Sequence, residues 1–261
     1  VSISFCELYE QEIKSRPEYI AGGILGKNQV MLLAAPAATY KSIIGMNMAH
    51  CLASGEKLFG RFSVPEKNRV LYLDAEVGLH YFQQRLKKFY KDTNTIPSNI
   101  YLATKEHPST NFTIDNEFSL SNLNEEIERT QPNIIILDCL NPFLSDDETE
   151  QTFSKVAANV EYIQRRFAEL ELSFIVLHHM RKMGKDDDPL SWYNVRGSSK
   201  LTDWPATRVM VGKVKNKNPQ FLARLASTWI FRHAPQIERL DLVVYPTFRV
   251  AEPPLKSLRD L

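Results

Sequence analysis

Five short runs constrain this chain more than anything else in it: residues 29–34 (QVMLLA), 69–74 (RVLYLD), 99–102 (NIYL), 133–138 (NIIILD) and 173–177 (SFIVL). Each is too short for a globular helix and apolar at nearly every position, so it has no polar face to turn to water. Such runs suit strands buried on both sides, the condition of a parallel sheet covered by helices. Helical patterns lie between them. In 152–170, Phe153, Val156, Val160, Ile163, Phe167 and Leu170 recur at three- and four-residue steps and form one apolar stripe. A second helix is predicted to begin at Lys41, and a third at Leu79 with Phe82, Leu86 and Phe89 on one side. Alternating strands and helices predict an α/β fold with a doubly wound, mostly parallel sheet flanked by helices.

After Leu177 the pattern changes. Residues 178–200 are polar and carry neither period, which predicts a mobile loop of the length usually kept for function. Strand-like runs at 208–211, 221–225, 227–231 and 240–244 then predict C-terminal antiparallel strands extending the sheet. With residues 1–28 as a lead-in, the 261 residues are expected to form one domain, since 43% hydrophobic and 24% charged content suffice for a large core.

No global basic field points to a nucleic-acid partner. Lys and Arg total 32 against 31 Asp and Glu, so a nucleic-acid contact has to come from a local patch. Cys6, Cys51 and Cys139 form no CxxC pair and no disulfide framework, which suits a reducing compartment. No apolar stretch approaches membrane-spanning length and the first residues lack a basic segment ahead of an apolar run, so a cytoplasmic protein without a membrane partner is expected.

The segment Ala35-Pro36-Ala37-Ala38-Thr39-Tyr40-Lys41-Ser42 follows a buried strand and precedes a helix, the context of a phosphate-binding loop. Backbone N–H groups there would face phosphate oxygens, Lys41 would reach the β- and γ-phosphates of ATP, and the Ser42 hydroxyl would ligate Mg²⁺. Against the pattern GxxxxGK(S/T), Ala35 and Tyr40 replace both glycines. Glycine is favoured there because a Cβ penalises the backbone angles required, so Tyr40 has to tolerate them.

Together with later segments, this loop resembles the RecA-like P-loop ATPases, and within them the RepA-type, AAA_25-like hexameric replicative helicases. LYLDAE (71–76) looks like the second core strand of that family, with Glu76 as the base that polarises the attacking water. IIILD (134–138) resembles a Walker B strand, which assigns Asp138 to the Mg²⁺ shell. VLHH (176–179) ends the next strand where the family carries a γ-phosphate sensor, a role the resemblance gives to His178 or His179. RGSSKLTD (196–203) is similar to the segment after the mobile loop in RepA-type ATPases. VKNKN (214–218) matches a turn that reaches a neighbour's nucleotide, which implies that Lys215 and Lys217 stabilise transition-state charge in trans. Arg208 is a further finger candidate.

The resemblance implies ATP and Mg²⁺ as cofactors, a homo-oligomer in the form of a hexameric ring, and single-stranded DNA in its pore. A primase or a replication initiator is a further partner class. Of the two pore-facing loops, 144–152 is acidic and would repel DNA, whereas the second offers Lys182, Lys185, Arg196 and Lys200, with Trp192 and Tyr193 as stacking surfaces. The expected function is an ATP-dependent DNA helicase or translocase of plasmid or phage replication. Two alternatives stay open: a recombinase-like or regulatory DNA-binding ATPase that does not unwind, and a degenerate P-loop scaffold or loader.

Overall fold

The computed structural model describes residues 2–11, 17–181, 184, 187–195, 199–232 and 234–254. Its centre is a nine-stranded sheet. Strands β3 (Val30–Ala35), β4 (Val70–Asp74), β5 (Ile100–Thr104), β6 (Ile134–Asp138), β7 (Ser173–His179) and β8 (Thr207–Val214) run parallel, and β9 (Ala223–Phe231), β10 (Ile237–Val244) and β11 (Val250–Ala251) add on antiparallel, in the order β11-β10-β9-β8-β3-β7-β6-β4-β5. The fold is therefore the mostly parallel, doubly wound α/β sheet with C-terminal antiparallel strands that the apolar runs predict.

Two details differ. The strand at 208–211 is parallel to β3, so the antiparallel extension begins one strand later. The runs at 221–225 and 227–231 are one strand, β9, because Ala226 continues the ladder between β8 and β10. The lead-in also holds regular structure. A short helix α1 (Phe5–Glu10) opens with a capping box in which Ser4 and Glu7 exchange hydrogen bonds, and β1 (Glu18–Ile20) pairs with β2 (Leu25–Gly26). Tyr19 ties that hairpin to the start of β7 by donating its hydroxyl to the Glu171 carbonyl at 2.8 Å.

Helices cover both faces. On one lies α2 (Lys41–Ser54), buried nearly all round, with α3 (Leu79–Phe89). On the other, α4 (Ser121–Thr130) sets Leu123 and Ile127 against the sheet and α5 (Glu150–Arg166) its predicted stripe of Phe153, Val156, Val160 and Ile163. The α5 pattern carries on past Arg166 as a tight turn that buries Leu170. The acidic segment 144–152 serves the start of α5: Thr149 caps it, Asp147 accepts from Thr152, and Asp146 lies 3.7 Å from Lys155. Among the described residues, no helix is long and apolar enough to cross a membrane.

The loop after β7 is closed at its base. Met180 bridges Val195, Arg181 donates its N–H to the Asn194 carbonyl at 2.9 Å, and its guanidinium holds Asp187 at 3.1 Å. Lys182, Lys185 and Arg196 lie outside the described residues. Lys200 is exposed on the short helix α6 (Ser199–Asp203), and the ring of Tyr193 is exposed while that of Trp192 packs against the core on the α4 and α5 face of the sheet.

Candidate nucleotide site

The parallel strands end in register. Ala35 of β3 is paired with His179 of β7, and Asp74 of β4 with Asp138 of β6, so the carboxyl ends of four strands share one edge of the sheet. Ligands of open α/β sheets collect beyond that edge. Here it holds an open pocket of about 460 Å³, walled by the 36–43 loop and by Glu76, Arg85, His179, Lys213 and Phe248.

The loop does without the glycines of its pattern. Tyr40 has φ 60° and ψ 24°, and Ala38 has φ 58°, both in the left-handed region. The replaced glycine position therefore keeps its glycine conformation, at a cost of roughly 1–2 kcal/mol for a residue with a Cβ. The Tyr40 ring is held by the ammonium of Lys213, 5.2 Å from its centroid. Ala35 meets no such demand, since it is an ordinary buried residue at the end of β3. The turn opens the helix directly: Lys41 is its first residue, and Ile44 donates its N–H to the Tyr40 carbonyl at 3.0 Å.

Beneath the loop, Ser42 donates its hydroxyl to Asp138 Oδ1 at 3.1 Å, and Tyr72 donates to Oδ2 of the same carboxylate at 2.6 Å. Asp138 is wholly buried, and that burial pushes its pKa up while the two hydroxyls and Lys41 pull it down. Beside it Asp74, also buried, is pushed up to about 6 by burial first and by the Asp138 charge second. A hydroxyl and two crowded carboxylates are hard oxygen donors in need of positive charge, and this fits Mg²⁺. The ε-ammonium of Lys41, itself buried, points toward the pocket's far wall, 3.3 Å from His179 Nε2.

Glu76 lies beyond the strand rather than at its end. β4 stops at Asp74, which accepts N–H bonds from Val77 and Gly78 and so shapes the turn that carries Glu76. The acid at the start of α3 is Glu106, which accepts from the Leu79 N–H at 3.1 Å, so Glu76 is left to the pocket. Its Oε1 lies 3.0 Å from His179 Nε2 and accepts from the Cys139 thiol at 2.9 Å. These bonds, the one from His179 foremost, hold its pKa down to about 2.

Strand alternation separates the two histidines. His179 faces the pocket, and His178 is fully buried on the opposite face, edge-on to Phe153 of α5. Of the two sensor candidates, only His179 therefore lines the pocket. Lys215 and Lys217 are exposed after β8 and do not line the pocket. Lys213 does, because Val209, Val211 and Lys213 alternate onto the α2 face, a period visible in the sequence. Arg208 points the other way and stacks on Trp192 at 4.6 Å, where burial lowers its pKa. Tyr72, Asp74, Arg85 and Cys139 also meet at this edge without a motif that marks them in the sequence. Arg85, from the middle of α3, lines the pocket with a buried Nη1 that finds no hydrogen-bond partner among the described residues.

The sequence model of the AAA_25 family, described as an AAA domain, matches residues 4–185, well over half of the chain and all of this edge except Lys213 and Phe248. The chain belongs to the AAA_25 family. As an AAA_25 domain it is a RecA-like P-loop ATPase by family and by fold. Among solved structures it is similar to a KaiC-like protein from the hyperthermophile Pyrococcus horikoshii OT3, with a TM-score of 0.56 over 90% of this chain and 94% of that one. Identity is 13%, so that likeness speaks for the fold of the AAA_25 domain alone. No curated protein matches the sequence.

Proposed function

We propose that this AAA_25 domain hydrolyses ATP and uses the energy to move along single-stranded DNA, as the motor of a homo-oligomeric, ring-shaped helicase. The observation that carries the hydrolytic part is the placement of Glu76 across the pocket from the phosphate loop, ionised at any physiological pH and linked to both His179 and Lys41.

In this reading the backbone of residues 36–42 and Lys41 bind the phosphates. Ser42 and Asp138 would hold Mg²⁺, which supplies charge neutralisation on the β- and γ-phosphate oxygens. Glu76 orients water for in-line attack, and with its pKa depressed it acts more by alignment than by strong basicity. Arg85 and Lys213 add positive charge from the same subunit. Lys215 and Lys217, exposed and outside their own pocket, would reach a neighbour's site. His179 joins Glu76 to the strand from which the long loop departs, so phosphate release can be felt there. Lys182, Lys185, Arg196 and Lys200 are the proposed DNA contacts.

The recombinase-like reading is favoured by one observation, that the exposed pair after β8 is Lys215 and Lys217 without an arginine. A decayed scaffold is disfavoured, since Tyr40 keeps the strained loop geometry and the full set of Lys41, Ser42, Glu76 and Asp138 converges on it. ATP turnover with and without single-stranded DNA, followed by strand separation on a forked duplex, tests the proposal. DNA-stimulated hydrolysis with unwinding is expected. Stimulation without unwinding would replace the helicase by the non-unwinding ATPase.

A further inference from the structure

Three side chains with different chemistry meet at the back of the pocket. Glu76, Cys139 and His179 follow or end β4, β6 and β7, which are adjacent strands, so a rigid stretch of sheet fixes their spacing. Glu76 Oε1 lies 2.9 Å from Cys139 Sγ and 3.0 Å from His179 Nε2, and the three donor atoms all fall within 4.8 Å of one another.

One carboxylate, one thiol and one imidazole make a donor set that suits a borderline-soft d¹⁰ cation and suits Mg²⁺ poorly. A tetrahedral zinc ion with Zn–S near 2.3 Å and Zn–N near 2.0–2.1 Å sets its ligand atoms roughly 3.3–3.6 Å apart. The two contacts of Glu76 Oε1, at 2.9 and 3.0 Å, need to open by about half an ångström to admit one, and Cys139 Sγ and His179 Nε2 already lie within 4.8 Å of each other. The fourth position would face the pocket, from which Glu76 and His179 are 37% and 28% exposed, and water can fill it.

We propose that Glu76, Cys139 and His179 form a Zn²⁺ site distinct from the Mg²⁺ position at Ser42 and Asp138, and that filling it switches ATP turnover off. On binding, the Cys139 thiol loses its proton to solvent, His179 keeps its one ring proton on Nδ1 so that Nε2 is free to ligate, and Glu76 exchanges its bonds from Cys139 and His179 for the metal. The carboxylate can then no longer orient water. This inhibition rests on the reading of Glu76 as the water-orienting group, whereas the metal site itself does not.

Co²⁺ provides the test, since its thiolate complexes absorb by charge transfer and exposed Cys6 can be controlled for. Wild type and Cys6→Ser should develop that absorption at one equivalent of Co²⁺ and lose it when Zn²⁺ is added. Cys139→Ser should not develop it, and His179→Gln, a second variant at the same site, should need at least ~100-fold more Co²⁺, because even the outer partners of metal ligands are worth ~10–100-fold in affinity. Absence of the band in wild type, or its survival in Cys139→Ser, would overturn the site. In a turnover assay at fixed Mg²⁺ and ATP, micromolar Zn²⁺ should inhibit wild type, and Cys139→Ser should require at least ~10-fold more for the same fractional inhibition. Cobalt binding through Cys139 with turnover indifferent to Zn²⁺ would overturn the inhibition and leave the site. Failure of wild type to hydrolyse ATP at all would instead refute the ATPase reading, and the cobalt result would stand apart from it.

Discussion

Asp74 and Asp138 face each other across neighbouring strands, both fully buried, and no lysine or arginine forms an ion pair with either among the described residues. The strain shows in Asp74, whose pKa rises from 3.8 to about 6. A carboxyl raised on folding binds its proton more tightly in the native state, so stability falls as pH climbs between those values and the penalty is complete above the higher one. Asp74→Asn removes the charge and keeps an acceptor for the Gly78 N–H. Without nucleotide or Mg²⁺, the variant should melt above wild type at pH 8, by up to ~2 kcal/mol, and the two should converge below about pH 4. A wild type more stable at pH 8 would show that the carboxylate is better compensated than its surroundings indicate. Residue-level legibility followed the local signal. Asp138 was legible because it ends an apolar strand, and Lys41, Ser42 and Glu76 because each follows such a strand within a few residues. The side on which a histidine falls needs the strand's phase, which the pair at 178 and 179 leaves open, and the reach of Arg85 depends on how α3 tilts over the sheet.

At the level of elements, the close approach of α2 to the sheet positions the site. A Cβ built at Gly45 would lie 2.9 Å from the Tyr72 hydroxyl and 2.9 Å from Leu177 Cδ2, so only glycine lets the helix come this near. Tyr72 is the residue that holds Asp138 from below. Gly45→Ala should therefore cost about 1–3 kcal/mol by overpacking and weaken Mg²⁺-dependent nucleotide binding with it. Urea denaturation and nucleotide titration check both, and an unchanged denaturation midpoint would mean that Tyr72 yields freely. The buried parallel strands were legible because nearly every residue in them is apolar, which fixes both faces at once. The C-terminal strands were legible, and only β8 differs in direction, since it is parallel because the chain crosses over the sheet from β7 before it begins. The hairpin of β1 and β2 and the short β11 carry too few residues to show a period, and they are held by distant partners such as Asn47, which accepts from the Val250 N–H and donates to the Phe248 carbonyl.

For the whole molecule, the distribution of positive charge suggests incompleteness of the single subunit. Arg85 and Lys213 line the pocket from within, while Lys215 and Lys217 stand exposed beyond it. If they complete a neighbour's site, specific activity should rise steeply with protein concentration, and Lys215→Ala with Lys217→Ala should cut turnover while nucleotide affinity stays within a few-fold. Full activity in a strictly monomeric preparation would contradict that arrangement. None of this was readable from composition, because a net charge of +1 conceals where the charges sit. Hydrolysis in the proposed motor depends on Glu76, and single-turnover ATP hydrolysis by wild type, Lys41→Ala and Glu76→Gln measures that dependence. Lys41→Ala should lose ATP binding, and Glu76→Gln should bind ATP and hydrolyse it at least ~100-fold more slowly than wild type. Turnover by Glu76→Gln at the wild-type rate would contradict the account.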